Sequence, residues 1–186
     1  MIPILIAVFV VVVLPAVYVL AQYNALVALR NYIRESWSDV DVELKRRYDL
    51  IPNLVAVVKG YAAHERGVFE RVTELRNRCA ANNGPVADQS RDEIQLVDAL
   101  KQLLAVVENY PQLKADQNFL KLQTELVNTE DRIQAARRFY NANVRDFNTR
   151  IEVVPSNLIA NAFGFENAEF FEIEAAIERA APQAAL

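Results

Sequence analysis

The sequence predicts an all-α protein in which an N-terminal transmembrane helix runs directly into a helical bundle. Three observations carry that expectation. Residues 2–21, IPILIAVFVVVVLPAVYVLA, contain no charge. Beyond them apolar residues recur at steps of three and four, the period of an amphipathic helix. The 186 residues include only four glycines, and no stretch alternates with the period of two that a strand requires.

The apolar run comes first. At about 1.5 Å per residue it covers roughly 30 Å, the thickness of a bilayer's hydrocarbon core. Pro15 is compatible with it, because transmembrane helices accommodate proline. A cleaved signal peptide is the rival reading, with Val19 and Ala21 suited to a cleavage site. No basic residue precedes the run, however, and the run is long for a signal peptide, so a retained anchor is expected. The first charged side chains after it are Arg30 and Arg34, both membrane-proximal. Lys45, Arg46 and Arg47 lie further on. The positive-inside rule then places the N-terminus outside and the remaining chain in the cytoplasm.

From Tyr23 the apolar stripe passes through Leu26, Ile33, Trp37, Val40, Leu44, Tyr48, Ile51, Val55, Val58, Ala62, Phe69 and Val72. It reads as one long helix that stops at Asn83-Gly84-Pro85. Pro52 interrupts it. A proline inside a helix removes one hydrogen bond and costs about 3 kcal/mol unless the geometry relaxes. The stripe keeps its register on both sides, which predicts a kink at Pro52 and not a loop. A second helix is expected over 91–109, with Ile94, Val97, Leu100, Leu104 and Val107 on one face. A third, preceded by Asp116 or Lys114, carries Phe119, Leu122, Leu126, Ile133, Tyr140, Val144, Phe147 and Ile151. Ser156 is a suitable N-cap for a short fourth helix that Gly164 ends. The acidic, aromatic tail that follows reads as helical. The expected organisation is an anchor over 1–22, a bundle over 23–165 and an acidic amphipathic tail over 166–186. The first helix is much longer than the second, so either it projects beyond the bundle or the chain bends at Pro52.

Composition excludes several functions. A net charge of −4 and a pI near 5.2 leave no basic surface for nucleic acid. Cys79 is the single cysteine, so neither an internal disulfide nor a cysteine-rich zinc site can form. His64 is the single histidine, and His64-Glu65 is not HExxH. No metal, cofactor or catalytic residue is therefore assigned, and no phosphate-binding glycine loop or GxSxG is present.

The charged clusters have a structural explanation. Asp41 precedes Lys45 by four residues, as Glu43 precedes Arg47, and each such helix pair contributes about 0.2–0.5 kcal/mol. The same cluster could contact another subunit or helix. In ARRFYNANVRDFNTR, residues 136–150, Tyr140, Val144 and Phe147 take core positions, and Asn141 and Asn148 could form a buried polar seam. The candidate interaction surface comprises Lys45, Arg46, Arg47, Arg137, Arg138, Phe170 and Phe171.

The blocks YNALVALRN (23–31), WSDVDVELKRRYDLIPNLVAVVKGYAAHE (37–65), AVVENYPQLKADQNFLKLQTELVNTEDRI (105–133), RRFYNANVRDFN (137–148) and PSNLIANAFGF (155–165) occur in an order that resembles the LemA family. The resemblance implies a membrane anchor followed by an antiparallel four-helix bundle. It implies no catalytic residue, and it points to envelope or membrane organisation and to links with membrane proteases. The function expected is a non-enzymatic, homo-oligomeric scaffold with coiled-coil character in the bacterial inner (cytoplasmic) membrane. Its partners would be the lipid bilayer, further copies and other membrane proteins. An adaptor or subunit of a membrane protease or other envelope enzyme, or a membrane-coupled sensor, is the alternative.

Overall fold

A computed structural model describes residues 9–172, which contain helices and no strand, as the residue spacing predicts. A π-helical turn, Phe9–Val13, leads into α1 (Leu14–Tyr61). Then come α2 (Arg66–Ala81), α3 (Val86–Val107), the single turn α4 (Pro111–Lys114), α5 (Gln117–Glu152) and α6 (Ser156–Ala162). The described residues divide into two compact units, one of residues 9–38 and 138–169, the other of residues 39–137 and 170–172.

The first unit pairs the start of α1 with the end of α5. Asn143 Nδ2 donates to the Tyr32 carbonyl at 3.5 Å and Arg150 Nη2 to Gln22 Oε1 at 2.6 Å, so the helices run antiparallel. Leu26, Phe147, Ile151, Ala160 and Phe165 form the core, with Tyr23, Val27, Leu29 and Ile33 packed against it. Trp37 and Tyr140 meet edge to face at 5.2 Å. After α5 the Val154–Pro155 peptide is cis. Ser156 does not cap α6 as expected. It is the first residue of that helix, and its hydroxyl donates back to the carbonyls of Arg150 and Val153. Gly164, at φ +67°, ends the element in the left-handed conformation glycine tolerates best.

The chain beyond Gly164 corrects a second expectation, because residues 165–172 are not helical. They are strapped to α5 instead. Asn148 accepts from the Ala168 N–H at 2.8 Å and donates to the Ala168 carbonyl at 3.0 Å, and Tyr140 Oη donates to the Glu169 carbonyl at 2.9 Å. The one side-chain amide thus satisfies both backbone groups of Ala168, as a neighbouring strand would. The rest of the predicted tail helix, 173–186, lies outside the described residues.

The second unit is a four-helix arrangement of α1 residues 39–61, α2, α3 and α5 residues 117–137. Here the predicted continuation of the helix past a kink at Pro52 to Asn83-Gly84-Pro85 fails: α1 ends at Tyr61, and residues 62–65 form a turn that reverses the chain. Arg76 Nε donates to the Tyr48 carbonyl at 3.0 Å, which places α2 antiparallel to α1. The reversal buries Phe69, Val72, Leu75 and Cys79, a stripe that a projecting helix would leave in water. Gly60 and Gly67 bracket the turn and weaken helix there. It also removes the mismatch in helix lengths, since α2 and α3 make a hairpin. Asn82 Oδ1 accepts from the Gly84 N–H at 2.9 Å in the connecting turn. Of the two residues expected before α5, Asp116 or Lys114, it is Asp116 that caps, its Oδ1 accepting from the Phe119 N–H at 2.9 Å.

The inner face of α3 also differs from the one expected. Ser90, Glu93, Leu96, Ala99, Leu100, Leu103 and Val107 are buried, while Ile94, Val97 and Leu104 are only half-buried. A stripe drawn through apolar residues alone misses this face, because Ser90 and Glu93 are part of it.

Candidate functional site

The most unusual chemistry in the second unit is an ion cluster inside its core. Arg47 lies one turn after Glu43 and one before Ile51, on the buried side of α1, and its side chain is 0% exposed. Nη2 donates to Glu93 of α3, and Nη1 donates to Glu130 of α5 at 2.9 Å. Tyr48 Oη donates to the other oxygen of Glu93. The Glu93 side chain is 2% exposed, whereas that of Glu130 reaches water. One guanidinium thus joins α1 to two further helices.

The titration behaviour follows from this packing. Burial works against charge on Arg47, but Glu93 and Glu130 outweigh it and hold its pKa above the ordinary value. Burial pushes the Glu93 carboxyl up, with Arg47 and the Tyr48 hydroxyl opposing that shift. The Tyr48 phenol is raised by burial and by Glu93. Cys79 adjoins the same carboxylate, and burial followed by the charges of Glu93 and Asp92 pushes its thiol up to about 12. A thiol so shifted is not a nucleophile at neutral pH. Among the described residues no group of three His, Cys, Asp or Glu side chains is placed to hold a metal ion.

The sequence-predicted residues separate into surface and interior. Lys45 and Arg46 are exposed, and Lys45 Nζ pairs with Asp41 Oδ2 at 2.5 Å as expected. Glu43 turns away from Arg47. It lies 3.6 Å from Arg46 and 3.9 Å from Arg132 of α5. Arg47, Arg137 and Phe171 are buried, whereas Phe170 is 41% exposed. Pro52 is exposed within α1, which continues on both sides. In the first unit Arg34 and Arg138 are exposed, and the Arg30 guanidinium lies 5.2 Å from the centre of the Phe165 ring. His64 is exposed in the turn between α1 and α2. Glu93 and Glu130 were missed because a lone glutamate on a helix face ordinarily marks solvent. The available signal was that Arg47, unlike Lys45 and Arg46, falls on the Leu44–Tyr48–Ile51 stripe.

The N-terminal helix has the other functional character. Its apolar part is long enough to cross a membrane and almost unburied, with Phe9, Val10, Val11, Val12, Leu14, Val17 and Leu20 exposed. An exposed apolar helix of that length beside a packed helical domain defines a class of membrane-associated helical proteins.

The chain belongs to the LemA family, whose model matches residues 36–185. The sequence blocks had indicated the same family. Curated relatives include the magnetosome protein MamQ 2 of Paramagnetospirillum magneticum, 28% identical over 178 residues, a match covering 82% of this chain and 65% of the relative. The magnetosome protein MamQ of Magnetospirillum gryphiswaldense is 27% identical over 177 residues, again covering 82% and 65%. Protein LemA of Metamycoplasma hominis is 28% identical over 158 residues, covering 84% of this chain and 71% of the relative. The chain therefore spans 65% of the length of the magnetosome proteins it matches.

Proposed function

We propose that this protein is a single-pass bacterial inner-membrane protein that self-associates and organises membrane-bound protein complexes through its helical faces, without catalysing a reaction. The observation that carries the reading is the continuity of α1, in which exposed apolar residues and bundle core residues belong to one helix from Leu14 to Tyr61. Such a helix joins the anchor to the bundle with no flexible linker. The family membership and the magnetosome relatives support a role at a cellular membrane system. The buried ion cluster supports a structural use of the polar residues, since Arg47 and Glu93 are closed to substrate. With Arg30 and Arg34 following the span, the positive-inside rule favours a cytoplasmic bundle.

The test is the mass of the full-length protein in mild detergent, measured by light scattering, together with electron microscopy of the same sample. An assembly of several copies with defined symmetry is expected. A strict monomer at every concentration would remove the self-assembly reading. Protease protection in spheroplasts reads the orientation separately, with the bundle expected to be cut only after the membrane is opened.

A further inference from the structure

The α5–α6 corner of the first unit carries a feature that the anchor alone does not explain. Residues 153–165, VVPSNLIANAFGF, contain no charged side chain. Apolar residues on this corner nevertheless face outward: Val154 is 78% exposed, Leu158 67%, Phe163 54% and Val153 44%. Ile159, Ala160 and Phe165 are buried beneath them, so the corner has one face in the core and one apolar face with no partner in its own unit. An exposed apolar cluster of this kind marks a contact surface.

The corner lies level with the apolar run of α1. Arg150 of α5 reaches Gln22 at 2.6 Å, at the point where the apolar N-terminal run ends. The helical hydrogen bonding of α5 continues to the Val153 N–H, which donates to the Thr149 carbonyl at 3.0 Å. Because α5 runs antiparallel to α1 here, Val153 lies about 4.5 Å beyond Arg150, level with about Val19 of the apolar run. Phe163 stays at the same end of the unit, its ring 4.8 Å from that of Tyr23. Arg30 against the Phe165 ring and Arg150 on Gln22 lie next to the corner, suited to the headgroup region. Two acids, Glu152 and Glu166, border the corner, and Asn167 donates to Glu152 at 3.3 Å.

We infer that the α5–α6 corner is a second, interfacial membrane contact, with Val153, Val154, Leu158 and Phe163 resting in the lipid acyl boundary beside the transmembrane helix. The occupant of the patch is the bilayer, because the patch is continuous with the apolar surface of the span and reaches its level. An uncharged segment of this length is too short to cross a membrane and suits an interfacial position. The contact would fix the first unit against the membrane at two points and so set its tilt. This inference rests on the reading of the N-terminal run as a bilayer span.

The experiment uses the full chain in vesicles of phosphatidylcholine and phosphatidylglycerol. An environment-sensitive fluorophore is attached in turn to Leu158→Cys, Val154→Cys, Val17→Cys and Phe139→Cys variants, with the unlabelled wild-type thiol of buried Cys79 as the blank. Brominated acyl chains act as the quencher. All four side chains are exposed, so the substitutions remove no core contact. Phe139 serves as an apolar control on α5 more than two turns of helix before Arg150. Blue-shifted emission and quenching at 154 and 158, approaching that at 17 and absent at 139, is the expected result. Quenching at 17 with water-like emission at 154 and 158 would overturn the interfacial contact and leave the span standing. Blue-shifted emission at 154 and 158 without quenching would mean that protein, such as a second copy, covers the patch, and would overturn it equally. No quenching at 17 would remove the span itself, and the inference with it.

Discussion

Arg47 shows how one side chain can decide the packing around it. Removing one member of a buried ion pair strands the other, at a typical cost of about 3–5 kcal/mol. Arg47→Met should therefore lower the unfolding free energy by about that amount at neutral pH, read by denaturant titration. The loss should grow with rising pH. Without the guanidinium, burial keeps the Glu93 carboxyl protonated in the fold, while the unfolded chain ionises freely above the ordinary carboxylate range. Combining Arg47→Met with Glu93→Gln should recover part of the loss, because the amide of that variant can still accept from Tyr48. A pH-independent cost would show that Glu93 is not the stranded partner. A second titration belongs to Cys79 and Tyr140, both pushed up to about 12 by burial. The unfolded thiol loses its proton near 9.0 and the folded one only near 12, so the unfolded state gains over that interval. Stability should be fully present below pH 9.0 and fall as the pH rises toward 12, with Cys79→Ala showing a shallower fall.

At the scale of elements, the sequence was informative wherever a local rule acts alone. The apolar helix from Phe9, the Gly164 stop and the break at Asn83-Gly84-Pro85 each depend on neighbouring residues, and all are where the spacing placed them. The failures are non-local. The turn at 62–65 was missed because Ala62 and Phe69 are seven residues apart, which preserves helical register whether or not the chain reverses between them; Gly60 and Gly67 were its local signal. The inner face of α3 was misread because Glu93 is drawn inward by an arginine 46 residues away in sequence. The extended segment after Gly164 owes its form to Asn148 and Tyr140 of α5. Asn148→Ala removes both bonds to the Ala168 N–H and carbonyl and should cost about 1–3 kcal/mol. Hydrogen exchange at the Ala168 amide reports it directly, with faster exchange expected and unchanged protection counting against the strap. Gly164→Ala forces a side chain to φ +67° and should cost about 1–2 kcal/mol, seen as a lower thermal midpoint.

At the scale of the whole molecule, the prediction concerns attachment. Full-length protein should remain with the membrane pellet after alkaline carbonate and after high salt, because an apolar helix is held by burial and not by charge. Release by salt alone would show that the N-terminal run does not enter the bilayer. The candidate site was less legible than this attachment. Lys45, Arg46 and Arg47 are adjacent in sequence and chemically alike, yet two pair with acids one turn away and the third joins three helices. Side-chain type cannot separate them; only their position around the helix does.

The ion cluster also has a mechanical consequence. Arg47 reaches α3 and α5 at a single height on α1, and one turn of sliding displaces it by about 5.4 Å. Such a shift would pull the guanidinium from both carboxylates while still enclosed by apolar side chains. Within the second unit α1 is therefore locked along its axis, and a push or pull on it cannot be relayed as helix-over-helix sliding. Any signal delivered through this helix would have to pass as a rigid displacement of the unit or as breakage of the lock. That is the behaviour of a strut, not of a piston.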